Sequence, residues 1–263
     1  MTILLPLLIS LKVVSLVPSV TEIIFLLGAD SLLAGTTIYC NYPEAAKKTH
    51  KVGDLLHPKI EDIVRISPDI IFVTLPMQRS VMEKLKKLGF NVISVNPESI
   101  NGILKTITLI GKYTGTSERA RFVVDSLKKE LQKLEKSKPA REVRVFFELS
   151  PKPLYTIGKN SFLNEIVEVA GGKNIFDYLK IPYPVVRQED VIRENPEVII
   201  LSYPDANPEN VVKRIGWDSI NAVKTSCIFK VEPELFTRPG PRFILAIKRL
   251  RKIFQECILR ESR

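Results

Sequence analysis

A stretch near residue 60 returns near residue 190, and this recurrence constrains the fold more than any other feature of the chain. The first copy reads Ile60-Glu61-Asp62-Ile63-Val64-Arg65-Ile66-Ser67-Pro68-Asp69-Ile70-Ile71, the second Gln188-Glu189-Asp190-Val191-Ile192-Arg193-Glu194-Asn195-Pro196-Glu197-Val198-Ile199. Each has Glu-Asp, two apolar residues and Arg, then Pro seven positions after the Glu, then an acid and a β-branched run. One copy is an ordinary helix-to-strand join. Two copies 128 residues apart in a chain of 263 predict two similar lobes, and a cleft between lobes is where small molecules bind. A weaker echo sets Glu22–Gly28 against Glu165–Gly171 at an offset of 143 residues. It fits the same duplication with an insertion, or two unrelated amphipathic helices ending at Gly.

The order of elements agrees with duplication. Strands are predicted over Val13–Val17, Leu32–Thr37, Asp69–Val73 and Asn91–Val95. Helices are predicted from Ser19 (with Glu22 at capping-box spacing) to Gly28, then over Glu61–Ile66, Ser80–Leu88 and Ser99–Tyr113. Short joins in a β-α-β-α order imply a parallel sheet covered on both faces. Ser117–Lys136 is the longest helical pattern, with a stop at Pro139, and reads as a rigid strut between lobes. The second half repeats the grammar: strands at Val143–Leu149, Val198–Ser202 and Ile228–Val231, helices at Phe162–Ala170, Glu189–Arg193 and Arg242–Ile258. The expected organisation is α/β: two Rossmann-like lobes with mostly parallel sheets, residues 1–114 and 140–263, joined by one long rigid helix within 115–139.

Composition excludes several classes. Net charge is +10 with 39 Lys and Arg, but these residues are spread over helix faces such as Glu83–Lys87, without interleaved aromatics. A nucleic-acid partner is therefore not expected. Cys40, Cys227 and Cys257 lack metal-ligand spacing, and the odd count leaves at least one thiol unpaired and no disulfide framework. His50 and His57 are too few for a His-rich metal site. G-x-S-x-G, H-E-x-x-H, P-loop and G-x-G-x-x-G patterns are all missing, so no catalytic residue and no catalytic cofactor is nominated. The run Ile3–Leu11 has the length of a secretory apolar region, and is read as a signal remnant in preference to an extra buried strand.

Loops at the carboxyl ends of strands are where α/β sheets bind ligands. Those loops hold Tyr39 and Tyr42, then Leu55, Leu56 and His57, then Tyr183 in Ile181-Pro182-Tyr183-Pro184, and Glu234 to Arg238 before Pro239-Gly240-Pro241. Aromatics on Pro-stiffened loops suit a large, flat, partly apolar ligand at low entropic cost; packing of loop ends is the plain alternative. Glu61 and Glu189 occupy equivalent places in the two copies. One surface carboxylate per lobe suits docking on a two-fold symmetric partner carrying arginines, while favourable placement at a helix N-terminus is the simpler account.

Val14–Glu22, Tyr39-Cys40-Asn41-Tyr42-Pro43, Lys51-Val52-Gly53 and Ile60-Glu61-Asp62 with Pro68-Asp69 resemble the N-terminal lobe of class III substrate-binding proteins of ABC importers. Tyr155–Lys159, Glu165–Phe176 and Pro239-Gly240-Pro241-Arg242 resemble its C-terminal lobe. The resemblance runs from about Lys12 to the end. It implies two α/β lobes with little hinge closure and a corrinoid, haem or ferric siderophore held between them as transported ligand. It also implies permease and ATPase subunits as partners, with Glu61 and Glu189 docking on permease arginines, an extracytoplasmic location, and membrane contact only through the permease or an anchor. The cobalamin-binding members match best. That resemblance nominates Tyr39, Leu55, Tyr155, Tyr183, Glu234 and Arg238 as ligand-binding residues, and makes cobalamin or a related corrinoid the expected cargo. Leu55 and Thr74 stand where those members carry large aromatics, which keeps a ferric siderophore or haem as the alternative. An enzyme on a nitrogenase-like two-lobe scaffold is the rival from another class; it requires Cys40, Cys227 and Cys257 to converge.

Overall fold

Strands covered on both faces are continuous apolar runs, and such runs form the centre of each sheet here. The computed structural model describes residues 11–139 and 141–261; the apolar run read as a signal remnant lies outside them, apart from Leu11. The first sheet contains β1 (Val13–Ser15), β2 (Leu33–Thr36), β3 (Ile70–Thr74) and β4 (Val92–Val95) in the order β2-β1-β3-β4, all parallel. Its helices are α1 (Pro18–Leu26), α2 (Ile60–Ile66) and α3 (Arg79–Lys87). Val14, Leu16, Ile71 and Val73 pack with Ile63, Val81 and Leu85 from α2 and α3. Two longer helices follow, α4 (Ile100–Tyr113) and α5 (Ser117–Lys136).

The second sheet repeats the topology. β5 (Val143–Pro151), β7 (Gly172–Asn174), β8 (Val198–Leu201) and β9 (Ile228–Lys230) are parallel, with β7 and β8 pairing β5 and β9 pairing β8. Here, as in the first sheet, the first strand pairs with the second and the third, and the third with the fourth. The register of the central pair corresponds too: Val13 faces Ile70 and Val145 faces Val198. One strand has no counterpart. β6 (Leu154–Thr156) lies antiparallel to the last part of β5. The helices are α6 (Phe162–Ala170), α7 (Gln188–Glu194), the short α8 (Pro208–Val212), α9 (Asn221–Lys224) and α10 (Pro233–Phe236), and the closing α11 (Phe243–Glu261).

The repeated stretch folds the same way twice. α2 and α7 each end on a left-handed residue, Ser67 at φ 49° and Asn195 at φ 44°. A proline follows each, and the residue before proline is kept out of the right-handed helical region, so a left-handed cap releases the chain into β3 or β8. Within each helix the Asp pairs with the Arg three residues on, Asp62 with Arg65 at 3.3 Å and Asp190 with Arg193 at 2.8 Å.

The chain divides into two compact units: residues up to Asn96 with Leu104–Val124, and Pro97–Ile103 with Asp125 onwards. The division falls just before α4, inside α4 and again inside α5. One local expectation is corrected. Ser19 does not cap α1; the helix begins one residue earlier at Pro18, whose fixed φ suits the first helical position, and Ser19 lies buried inside it. Cys227 and Cys257 form a disulfide with Cα atoms 5.8 Å apart, leaving Cys40 as a free, buried thiol. With those two cysteines bonded to each other, the three do not converge as a metal-cluster enzyme requires.

Candidate ligand-binding site

In the first unit, the carboxyl end of β2 opens into the loop that carries Tyr39 and Tyr42. These residues are 51% and 45% exposed although both are large and aromatic. Ile38 N–H donates to Gly53 O at 3.0 Å, tying this loop to the segment that carries Leu55. That segment turns on Asp54, whose carboxylate accepts from the backbone N–H of Leu56 and of His57, both at 2.7 Å. The His57 bond is the chief reason the Asp54 carboxyl sits below its ordinary range. Leu55 itself is held by a residue no motif nominated. The buried Gln78 amide donates to Leu55 O at 2.7 Å and to Leu16 O at 3.2 Å, and accepts from Thr74 N at 2.7 Å. One side chain thus braces the carboxyl ends of β1 and β3 against the Leu55 loop. Met77, beside it, is exposed.

In the second unit, the proline-flanked segment around Tyr183 is laced to β6 and its continuation. Val186 N donates to Leu154 O at 3.0 Å, Thr156 N to Pro184 O at 3.0 Å, Gly158 N to Pro182 O at 2.9 Å and Lys159 N to Leu179 O at 2.8 Å. Tyr155 bridges Val185 in this lacing, which brings Tyr155 and Tyr183 onto adjoining segments. Gly158 permits it: a Cβ there would lie 2.0 Å from Ile181 O and 2.6 Å from Leu179 O. Tyr183 is 44% exposed, yet desolvation of its phenol first, then the Glu98 carboxylate, push it up to about 12, so it is a neutral donor at physiological pH. Asn174 supports the same corner, donating to Ile157 O at 2.9 Å and to Asn164 Oδ1 at 3.0 Å. Tyr178, Ile181 and Val185 are also exposed on this segment. Glu234 lies exposed in α10 and Arg238 half-buried just beyond it.

Sequence reasoning missed a second feature of this unit. Glu148, fully buried near the end of β5, accepts both guanidinium arms of Arg214, each at 2.7 Å, and the Tyr203 hydroxyl at 2.9 Å. The Arg214 guanidinium lies 4.4 Å from the Trp217 ring centroid. Burial, and next the Glu148 charge, push the Tyr203 phenol up to about 12. A groove of about 610 Å³ lies over this network, with Lys152, Gln188, Asp205 and Lys213 among its lining residues. The sequence did carry a signal: a Glu inside an apolar strand requires a buried partner.

Glu61 and Glu189 sit exposed in the first turns of α2 and α7. The neighbouring aspartates take the local arginines, Arg65 on Asp62 and both Arg187 and Arg193 on Asp190. Neither Glu61 nor Glu189 is in an ion pair among the described residues. Among the same residues no group of three or more His, Cys, Asp or Glu forms a metal-ligand set, and no helix is long and apolar enough to cross a membrane.

A family profile described as periplasmic binding protein matches residues 13–235. An uncharacterised ABC transporter substrate-binding lipoprotein of Bacillus subtilis (strain 168), YvrC, is 34% identical over 248 residues, covering 91% of this chain and 78% of its own. The vitamin B12-binding protein of Vibrio vulnificus (strain CMCP6) is 29% identical over 248 residues, 91% of this chain and 88% of its own. Among solved structures, a possible iron-binding (periplasmic solute-binding) protein from Staphylococcus epidermidis ATCC 12228 superposes with a TM-score of 0.82 at 32% identity, over 92% of this chain and 98% of that one.

Proposed function

Because the chain belongs to the periplasmic binding protein family, we propose that it is the substrate-binding subunit of an ABC importer and that its cargo is cobalamin or a related corrinoid. The observation that carries the cargo is a set of aromatics held by hydrogen-bonded backbone: Tyr39 on its braced loop in the first unit, and Tyr155 in β6 with Tyr183 on the segment laced to it in the second. Large neutral rings held in place beforehand suit a broad, largely uncharged macrocycle edged with amides, because little side-chain entropy is lost on binding. Leu55, Glu234 and Arg238 complete the proposed contacts. The likeness over nine-tenths of the chain to a vitamin B12-binding protein supports the same choice. A second reading, an iron complex such as a ferric siderophore or haem, is favoured by the 32% identical structure described as possibly iron-binding.

In this role the protein captures and hands over cargo and performs no chemistry on it. Glu61 and Glu189 would dock on arginines of the permease, whose ATPase subunits drive transport. The Cys227–Cys257 disulfide supports work outside the cytoplasm, since disulfides persist in oxidising compartments. Calorimetric titration with cyanocobalamin, haem and a ferric catecholate tests the reading. Saturable one-to-one binding of cyanocobalamin, tighter than either iron chelate, is expected; exclusive binding of an iron chelate would replace the corrinoid, and binding of none would overturn the proposal.

A further inference from the structure

The loop that carries Tyr39 and Tyr42 is fastened by an ammonium group. Lys51 Nζ donates to Thr36 Oγ1 at 2.9 Å, to Cys40 O at 3.0 Å and to Ala46 O at 2.8 Å. Those acceptors lie before the loop, beside Tyr39, and after Pro43. An ammonium has three protons to donate, and here each meets a neutral oxygen; no carboxylate pairs with Lys51 among the described residues. Burial pushes the Lys51 amine down, with the Cys40 thiol opposing. A charge held away from carboxylates is a poor way to gain stability, but three convergent charge-assisted bonds are an effective way to fix two stretches of loop backbone to the end of β2. The inner side of the loop is held as well: the Cys40 side chain is buried, with Thr21 Oγ1 donating to its sulfur at 3.1 Å and Thr37 Oγ1 3.3 Å away.

We infer that Lys51 is a positioning residue for cargo capture: its ammonium clamps the Thr36–Ala46 loop so that Tyr39 and Tyr42 are held ready for the ligand. The inference rests on the reading that Tyr39 contacts cargo, yet the clamp is testable without any cargo. Cys40 is the free thiol, lies buried within the clamped loop and so reports on the clamp directly. In the full chain with its disulfide intact, labelling of Cys40 by an aromatic disulfide reagent is expected to speed up at least ~10-fold in Lys51→Met. Local opening is insensitive to urea well below the unfolding midpoint, whereas global unfolding carries the full denaturant slope. Labelling in the variant should therefore be flat in dilute urea. Lys51→Arg should label nearly as fast, since a planar guanidinium cannot converge on three acceptors as an ammonium does. If Lys51→Met proves poorly folded, Thr36→Val removes one of the three bonds and should give a smaller, equally urea-independent increase.

Unchanged Cys40 labelling in these variants, or an increase that follows the global unfolding slope, would overturn the clamp. Where the wild type binds cyanocobalamin, Lys51→Met is expected to weaken it about 10-fold; faster labelling with unaltered affinity would overturn the positioning role. A wild type that binds none of the three chelates sinks the corrinoid reading while the labelling result still decides the clamp.

Discussion

At the scale of single residues, two glycines show how much a local rule depends on what lies next to it. Gly28 sits past α1 at φ +70°, and a Cβ added there would meet nothing within 4 Å. Alanine at this position meets only the left-handed penalty, about 1–2 kcal/mol. Gly158 has an ordinary backbone, but its missing Cβ is the space occupied by Ile181 O. Alanine at 158 must push the Tyr183 segment off β6 and break hydrogen bonds that hold it. The expected destabilisation is about 3 kcal/mol or more, in the class of overpacking combined with lost backbone pairing. Urea midpoints measured at unchanged slope would show it, with Gly158→Ala well below Gly28→Ala; the reverse order would contradict the lacing. Weakened cargo binding should accompany the change at 158 and not the one at 28.

Among elements, the longer helices were the most legible, while the short α8, α9 and α10 have no counterpart in the sequence reading. The limits of α5 and α6 coincide with the sequence periodicity, and the central strands coincide within a residue or two, because both depend on local pattern. β6 and β7, three residues each, have no counterpart in the sequence reading. Such strands carry no period of their own and exist through pairing with β5. The Tyr39 loop was legible from its place after a strand, whereas Gln78 and Lys51 were not, because most of their partners are backbone groups that no local pattern points to. α4 offers a test of such non-local contacts. Its first N–H, at Ile100, donates to Glu165 of α6 at 2.7 Å. Burial raises the Glu165 carboxyl above its ordinary value, the Ile100 N–H opposing and Glu168 adding to the rise. A carboxyl raised by folding contributes stability at low pH that is lost as pH climbs through its folded value. Glu165→Gln keeps the acceptor and removes the charge, so its melting temperature should gain on the wild type as pH rises above the ordinary carboxylate range; a constant difference would refute the burial effect. Closer to the carboxyl end, the disulfide closes a 30-residue separation between the start of β9 and α11. The chain-entropy model gives that loop about 3–4 kcal/mol, and replacing Cys227 and Cys257 by Ala should lower stability by an amount of that order in chemical denaturation.

For the whole molecule, the duplicated helices set the final prediction. In each copy the Asp is occupied by an Arg of its own helix, while the preceding Glu stays exposed and without an ion pair among the described residues. If helix stabilisation were the only reason for acids here, Asp and Glu would be interchangeable contributors, each worth a few tenths of a kcal/mol at a helix N-terminus. Docking makes them unequal. Glu61→Ala with Glu189→Ala should leave cargo affinity within about two-fold and abolish uptake in proteoliposomes holding the permease and its ATPase, because truncating one partner of a desolvated interfacial charge pair costs about 2–5 kcal/mol. Asp62→Ala with Asp190→Ala breaks only exposed ion pairs, worth about 0–1 kcal/mol each, and should leave uptake near the wild-type rate. Each single Glu variant should retain partial uptake that falls further with added salt, as expected of contacts made at equivalent places on two similar units. Full uptake by the double Glu variant, or equal loss in the Asp pair, would show that the repeated acids serve their own helices and that the importer reads some other surface.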